Sequence, residues 1–212
     1  IGELDRRFKA YTNKNPLEKI DAEAFTSRGL SDIMKAWDLS NCLWDGRLGY
    51  RFTPDKFRLT EAVDAQLSRR KTKEVANCRG LTALYSVLGI RNALNLSVFT
   101  NEGHCMSMLD ADGRKAVIWT TNLGIRFDPA SYDGFNSRGL LHLVAQMYFS
   151  TAREKRCNQE AIIEYGKAIE TDPAFLCAYF ERALAKERIG DMEGAKKDYA
   201  EHMRLSGESH DA

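Results

Sequence analysis

The stretch NCRGLTALYSVLGI, residues 77–90, determines the predicted fold. Its large apolar side chains recur at i, i+3, i+4 and i+7, which predicts an amphipathic helix over residues 78–89. These side chains are Leu81, Leu84, Tyr85 and Leu88. Cys78 lies at the start of this helix, and Gly89 lies where a C-cap glycine is expected.

The hydrophobic period changes directly after this helix. Residues 94–100 and 104–109 alternate between apolar and polar side chains, and residues 115–121 are rich in strand-forming types. Asp110-Ala-Asp-Gly113 predicts a turn before the last of these segments. A helix followed by consecutive strands predicts an α+β domain, in which the helix packs on an antiparallel sheet.

Two further helices are predicted upstream. One covers residues 30–44, with Ser31 or Asp32 as its cap, and the other covers residues 59–68. Asp128-Pro129 introduces the loop that ends this domain. The predicted bounds are 1–136 for the first domain, with N-terminal helices over 1–70 and the core over 71–136, and 137–212 for a second, helical domain.

The C-terminal segment carries an internal repeat. Ala161 and Tyr165 recur 34 residues later as Ala195 and Tyr199. A 34-residue period with small residues at helix crossings resembles tetratricopeptide repeats over residues 158–206. At most two repeats are present, fewer than a free-standing solenoid needs, so we expect the tail to dock on the first domain. A plain helical hairpin is the alternative.

The composition of the chain disfavours several classes of function. The 31 basic and 30 acidic residues nearly cancel, which disfavours strong binding to nucleic acid. The five cysteines form no CxxC pair, so we predict neither a zinc site nor a disulfide framework, and we expect a reducing, cytoplasmic setting. No apolar run reaches the roughly 18 residues of a membrane helix, so no membrane partner is predicted.

Cys78 is the candidate nucleophile. The unpaired N–H groups and the dipole of a helix N-terminus favour a thiolate, and the same N–H groups can hold an oxyanion. A small buried thiol is the alternative. His104 follows a glycine and opens a strand that should pack on this helix, where an imidazole can take the thiol proton. We therefore predict that Cys78 and His104 form a catalytic pair.

A third residue should hold the imidazole in one tautomer, and it should follow the next strand. Asn122 is the first choice and Asp128 is the rival. A turn residue is the alternative for Asn122. Cys105 is the neighbour of His104, and since successive strand residues point to opposite faces, we expect Cys105 to point away from the site into the core.

Residues 77–90 resemble the nucleophile helix of transglutaminase-like proteins, which belong to the papain-like cysteine peptidase superfamily. Gly103-His104, followed by alternating residues, a turn and a Trp-bearing strand, is similar to their histidine and acid strands. The resemblance covers residues 59–130. It implies a transglutaminase/papain-like core and a Cys, His, Asp order that serves amide hydrolysis, deamidation or amide exchange. Asn122 matches the papain-like pattern. Asp128, followed by Pro129, matches the Asp-Pro motif of transglutaminase-like proteins but comes late in the chain.

Two functions are consistent with these features. The first is a thiol-dependent enzyme that acts on protein or peptide amides, as a protease, deamidase or acyl transferase, with Cys78, His104 and Asn122 as catalytic residues. It needs no cofactor and no metal, and its helical repeats hold a protein partner. The alternative is a catalytically inactive transglutaminase-like scaffold that acts as an adaptor through its repeat tail.

Overall fold

The computed structural model describes residues 1–12, 17, 22–44, 53, 56–68, 75–101, 104–121, 124–127 and 136–207. The chain divides into two compact units, Ile1–Gly139 and Leu140–Ala212. In the described residues, the first unit combines helices with an antiparallel sheet, and the second unit is helical. The predicted α+β class is therefore confirmed.

The first unit begins with helices and continues into strands. The helices are α1 (Gly2–Lys9), α2 (Ser27–Trp44), α3 (Leu59–Leu67) and α4 (Cys78–Arg91), with a short 3-10 turn at Ala22–Ala24. The strands are β1 (Leu96–Thr100), β2 (Cys105–Ala111), β3 (Arg114–Trp119), β4 (Gly124–Phe127) and β5 (Asn136–Arg138). The strands form one antiparallel sheet in the order β4-β3-β2-β1-β5.

Helices α2 and α4 cover one face of this sheet at β2. Alternate residues of β2 face them, so Leu109 and Ala111 join the main apolar core while Met106 and Met108 join a separate cluster. Tyr85 of α4 is fully buried in the main core, where its hydroxyl donates to the carbonyl of Ala36 over 2.8 Å. The helix that carries Cys78 is thereby fixed against both α2 and the sheet.

The turn between β2 and β3 also organises the start of α2. Asp112 and Gly113 have φ values of 57° and 79°. A tight type I′ hairpin turn requires a positive φ at both of its central residues. The Asp112 carboxylate accepts from the backbone N–H of Thr26 over 3.0 Å and from its hydroxyl over 2.6 Å. The predicted cap at Ser31 or Asp32 is wrong, because α2 begins four residues earlier and Thr26 accepts from the Gly29 N–H.

Gly89 has a packing role in place of the predicted capping role. Helix α4 continues to Arg91, so Gly89 lies inside it. A Cβ atom at Gly89 would lie 2.4 Å from Leu96 Cδ1. The glycine therefore allows β1 to approach α4 closely, and the helix ends two residues later.

Strands β4 and β5 lie beyond the segments predicted to be strands. Their described residues are few, four in β4 and three in β5, so neither produces a periodic signal. β5 pairs with β1, with Val98 opposite Arg138, and so belongs to the first unit, which extends to Gly139. Asp128-Pro129 and Gly134 lie outside the described residues.

The second unit contains α5 (Leu140–Glu154), α6 (Asn158–Thr171), α7 (Leu176–Arg188) and α8 (Met192–Ser206). Each helix packs on the next one along the chain. Alanines occupy the contacts between them and allow close approach; one cluster contains Ala145, Ala168 and Ala178, and another contains Ala152, Ala161, Ala185 and Tyr165. Helix α5 contributes to both clusters although it precedes the repeat of residues 158–206.

An ion network joins α7 to α8. Asp198, which is 4% exposed, accepts two hydrogen bonds from Arg182, over 2.8 and 2.7 Å, and lies 2.8 Å from the ammonium of Lys186. These cations lower the pKa of Asp198 although burial opposes them. In the part of the chain that the structure describes, no helix is long and apolar enough to cross a membrane.

Candidate active site

Cys78 is the first residue of α4, and Asn77 is the N-cap of that helix. The Asn77 side-chain oxygen accepts from the N–H groups of Arg79 and Gly80, over 3.0 and 3.2 Å, and its carbonyl accepts from Leu81. The cap thus uses the second, third and fourth N–H groups of the helix. Asn77 does not accept from the N–H of Cys78, which is the remaining N–H group of the first turn.

The backbone before Cys78 is held by the segment at residues 56–57. The N–H of Asn77 donates to the carbonyl of Lys56 over 2.6 Å. A Cβ atom at Gly80 would lie 2.7 Å from the Ala76 Cβ and 3.3 Å from the Phe57 carbonyl oxygen. Gly80 therefore permits the close approach that fixes the start of α4, and with it the position of the thiol.

His104 lies in the connection between β1 and β2. Its N–H donates to the Asn101 side chain over 2.8 Å, and its carbonyl accepts from the N–H of Asn101 and from the hydroxyl of Thr100, both over 3.0 Å. These bonds fix the backbone on both sides of the imidazole. The ring centroid of His104 lies 6.3 Å from that of Trp119, over which the Arg126 guanidinium lies at 5.6 Å.

Cys78 and His104 are brought together, and a third group joins them. The groups that act on the Cys78 thiol are the Cys105 thiol, the His104 ring and the Cys105 backbone N–H. These groups, the Cys105 thiol first, lower the pKa of Cys78 to about 4, although burial opposes them. Cys78 is therefore held as a thiolate by donors that come from the start of β2.

The expectation for Cys105 is half right. Cys105 is buried, 1% exposed, but its side chain faces Cys78. The reason is that β2 begins at Cys105, so His104 precedes the strand and the alternation of faces does not extend to it. The hydrogen bond to Cys78 and burial raise the pKa of Cys105 well above its ordinary value. Cys105 is thus the hydrogen-bond donor of the pair, and the Cys78 thiolate is the acceptor.

A row of buried hydroxyls continues from the two thiols along the contact between α4 and β2. Thr82 Oγ1 lies 2.8 Å from Thr120 Oγ1, donates to the Cys105 carbonyl over 3.2 Å and lies 3.8 Å from the Cys105 sulfur. One turn further on, Ser86 Oγ lies 3.0 Å from Ser107 Oγ. Because these polar groups satisfy one another, they fix the register of α4 on β2 and the rotamer of Cys105.

Asn122 and Asp128 both lie outside the described residues, so the third catalytic residue stays a prediction. Cys105 is the site residue that sequence reasoning missed. One signal could have indicated it: Cys105 and Ser107 occupy alternate positions of β2, opposite Thr82 and Ser86 at helical spacing on α4.

Two histidines of the second unit have structural contacts. His142 Nδ1 lies 2.5 Å from the Asp172 carboxylate, and its Nε2 lies 3.2 Å from Gln146. His202 Nδ1 lies 3.1 Å from the carbonyl of Leu176. Within the described ranges, no group of three His, Cys, Asp or Glu side chains is arranged to hold a metal ion.

The first unit brings together a thiol of lowered pKa at a helix N-terminus, an imidazole beside it and a first-turn N–H group that the Asn77 cap does not use. Such a group can attack an electrophilic carbonyl carbon. Comparisons with models of known protein families, with curated proteins and with solved structures found no match. The function proposed for this chain therefore rests on the geometry of its own residues.

Proposed function

We propose that this protein is a thiol-dependent enzyme that acts on protein or peptide amide bonds, with Cys78 as nucleophile and His104 as proton carrier. The observation that supports the proposal is the position of the Cys78 thiol at the N-terminus of α4, where the Cys105 thiol and then the His104 ring lower its pKa. The resemblance to transglutaminase-like and papain-like proteins, in residue order along the chain, agrees with this role. The helix that packs on an antiparallel sheet agrees with the α+β class that the resemblance implies.

The reaction begins when the Cys78 thiolate attacks the amide carbonyl carbon. A C–S bond forms, and the N–H of Cys78 donates to the oxyanion that develops on the carbonyl oxygen. His104 gives a proton to the leaving nitrogen as the C–N bond breaks, which leaves a thioester on Cys78. Water or an amine then attacks the thioester carbonyl carbon and gives a proton to His104, the C–S bond breaks and the Cys78 thiolate is restored, so the same site serves hydrolysis, deamidation or acyl transfer. Asn122 or Asp128 orients the His104 ring.

The decisive experiment measures three products from one generic unfolded protein substrate: new amino termini, released ammonia and an incorporated primary amine. Each product identifies one reaction of the thioester. We expect Cys78→Ala to abolish the product and His104→Gln to lower its rate by about 100- to 10,000-fold. Cys157→Ala is the matched control, because Cys157 is an exposed free thiol of the second unit. Product formation that survives Cys78→Ala would refute the proposal.

We further propose that the helical unit holds the protein partner or substrate. Phe180 of α7 is 40% exposed, and its ring packs against Tyr199 and His202 of α8, with centroids 5.8 and 5.3 Å apart. This exposed aromatic group is of the kind that anchors protein interfaces. Its position on the 34-residue repeat matches the binding role that the tetratricopeptide resemblance implies.

A comparison of two substrates tests the second proposal. Phe180→Glu should raise KM for a protein substrate and leave the rate on a short peptide unchanged, because in this proposal Phe180 binds the protein partner or substrate and takes no part in the chemistry at Cys78. Ile163→Glu, at an apolar residue of α6 that is 59% exposed, serves as the control for a surface charge. If Cys78→Ala behaves like the parent in every assay while Phe180→Glu abolishes partner binding, the protein is an adaptor and not an enzyme.

A further inference from the structure

Cys105 forms no bond to the substrate in the amide chemistry proposed above, yet it lies beside the nucleophile. Its sulfur is 3.8 Å from Thr82 Oγ1, and Thr82 also donates to its carbonyl over 3.2 Å. Cys78 precedes Thr82 by four residues on the same face of α4. Cys78 and Cys105 therefore both lie beside Thr82 at the contact between α4 and β2.

We propose that Cys78 and Cys105 form a reversible disulfide when the protein meets a peroxide, with Cys78 as the peroxide-reactive thiol and Cys105 as the resolving thiol. Both cysteines are free and buried. Each is the first residue of its element, so a small shift that brings the sulfurs to an S–S distance of about 2.05 Å breaks few backbone hydrogen bonds. This proposal does not depend on the amide chemistry.

The reaction balances in two steps. The Cys78 thiolate attacks one oxygen of hydrogen peroxide, so that an S–O bond forms, the O–O bond breaks and hydroxide leaves, becoming water when it takes a proton. Cys78 is now a sulfenic acid, and the peroxide has been reduced. The Cys105 sulfur then attacks the Cys78 sulfur, the S–S bond forms, the S–O bond breaks, and the departing hydroxide takes the Cys105 proton as water. An added dithiol reverses the disulfide by exchange.

The contact between the two cysteines also favours the attack of Cys105 once Cys78 has been oxidised. In the reduced protein, the pKa of Cys105 is high because its thiol is hydrogen-bonded to Cys78, because it is buried, and because Cys78 carries a negative charge. Oxidation of Cys78 to the uncharged sulfenic acid removes this charge. Cys105 then loses its proton more readily, at the point when its thiolate is needed. Until then Cys105 stays protonated, and because the thiolate is the reactive form, Cys78 and not Cys105 reacts with peroxide first.

The disulfide would protect Cys78 from irreversible oxidation and would control its reactivity. A lone thiolate would pass from sulfenic to sulfinic acid, which most cells cannot reverse. A resolving thiol in contact competes with that second oxidation. While the disulfide persists, Cys78 cannot attack a carbonyl, so peroxide would switch the site off and a reductant would switch it on again.

The test is peptide mapping of the full chain after treatment with a small excess of hydrogen peroxide. We expect a Cys78–Cys105 linked peptide that disappears on incubation with dithiothreitol, with full recovery of both thiols. In Cys105→Ala, we expect a sulfenic acid at Cys78 that dimedone captures, and about tenfold faster irreversible loss of the thiol. Cys157→Ser is the matched control, since an exposed cysteine outside the pair should leave the linkage unchanged.

Two results would overturn the proposal. One is a parent protein in which peroxide converts Cys78 to sulfinic acid without a Cys78–Cys105 linked peptide forming at any time. The other is a linkage of Cys78 to Cys157 or Cys177 in place of Cys105. Both results are read from the parent or from a single surface variant, so they stand even if Cys105→Ala fails to fold. Neither result depends on amide cleavage, so failure here is distinguishable from failure of the proposed enzyme function.

Discussion

Replacement of Cys105 by alanine should raise the pKa of Cys78. The Cys105 thiol is the largest cause of the low pKa of Cys78, ahead of the His104 ring. Alanine removes this S–H donor and keeps the backbone N–H of residue 105. Serine at the same position keeps a hydroxyl donor, so Cys105→Ser is the matched control. The two variants together separate loss of the hydrogen bond from general disturbance of the site.

The size of the shift follows from the strength of one hydrogen bond to a charged group. Such a bond contributes about 1.5–3 kcal/mol, and one pKa unit corresponds to about 1.4 kcal/mol. Cys105→Ala should therefore raise the pKa of Cys78 by about 1–2 units, from about 4 to about 5–6. Near pH 5, the thiolate fraction would fall from about nine-tenths to between about one half and one tenth.

The assay is the rate of alkylation of Cys78 by iodoacetamide between about pH 4 and pH 8, followed by mass spectrometry of the Cys78 peptide. A thiolate of higher pKa is intrinsically more nucleophilic, so each profile is divided by its own plateau near pH 8 before midpoints are compared. The ultraviolet absorbance of the thiolate provides an independent titration. Circular dichroism checks that each variant is folded.

The sign of the pH dependence is fixed by the lowered pKa. Because the folded protein keeps Cys78 ionised down to low pH, its alkylation rate should be nearly constant from about pH 6 to pH 8, where an ordinary thiol gains about tenfold per pH unit. An unchanged midpoint in Cys105→Ala would refute the reasoning. So would a midpoint in Cys105→Ser that moves as far as the one in Cys105→Ala, because serine retains the donor.

Three further variants test the packing around the site and the tail. Asn77→Ala removes the cap of α4 and should cost about 1 kcal/mol of stability in urea unfolding, with Asn77→Ser costing less because a serine hydroxyl can still cap. Gly80→Ala places a Cβ 2.7 Å from the Ala76 Cβ and should cost about 1–3 kcal/mol; an unchanged urea midpoint would contradict the close packing. Asp198→Ala leaves two half-buried cations unpaired and should cost about 3–5 kcal/mol, read as faster hydrogen exchange in α7 and α8, whereas the exposed Glu193→Ala should leave exchange unchanged.

Much of the first unit is predictable because its signals are local. The helical period of residues 78–89, the alternation of the next segments and the Asp112-Gly113 hairpin turn each depend on backbone preferences within a few residues. The predicted helix over residues 59–68 agrees with α3 at Leu59–Leu67. Strands β4 and β5 are not predictable in this way, because they are short and β5 depends on pairing with β1.

The candidate site likewise has features that follow from local sequence and features that depend on tertiary packing. The sequence by itself predicted that Cys78 begins a helix and that a strand opens at His104, because both follow from the local hydrophobic period; α4 does start at Cys78, whereas β2 starts one residue later, at Cys105. It also determined the 34-residue repeat of the tail, which is a property of residue order alone.

Only the tertiary structure decided what surrounds the Cys78 sulfur. Cys105 faces it because β2 starts at that residue and because Thr82 and Thr120 fix the register of α4 on the sheet. Asp112 binds Thr26 across 86 positions of the chain for a similar reason. Contacts between residues so far apart depend on which faces of the elements pack together, and local patterns do not specify that. The opposing pKa shifts of Cys78 and Cys105 are therefore a product of packing and not of motif.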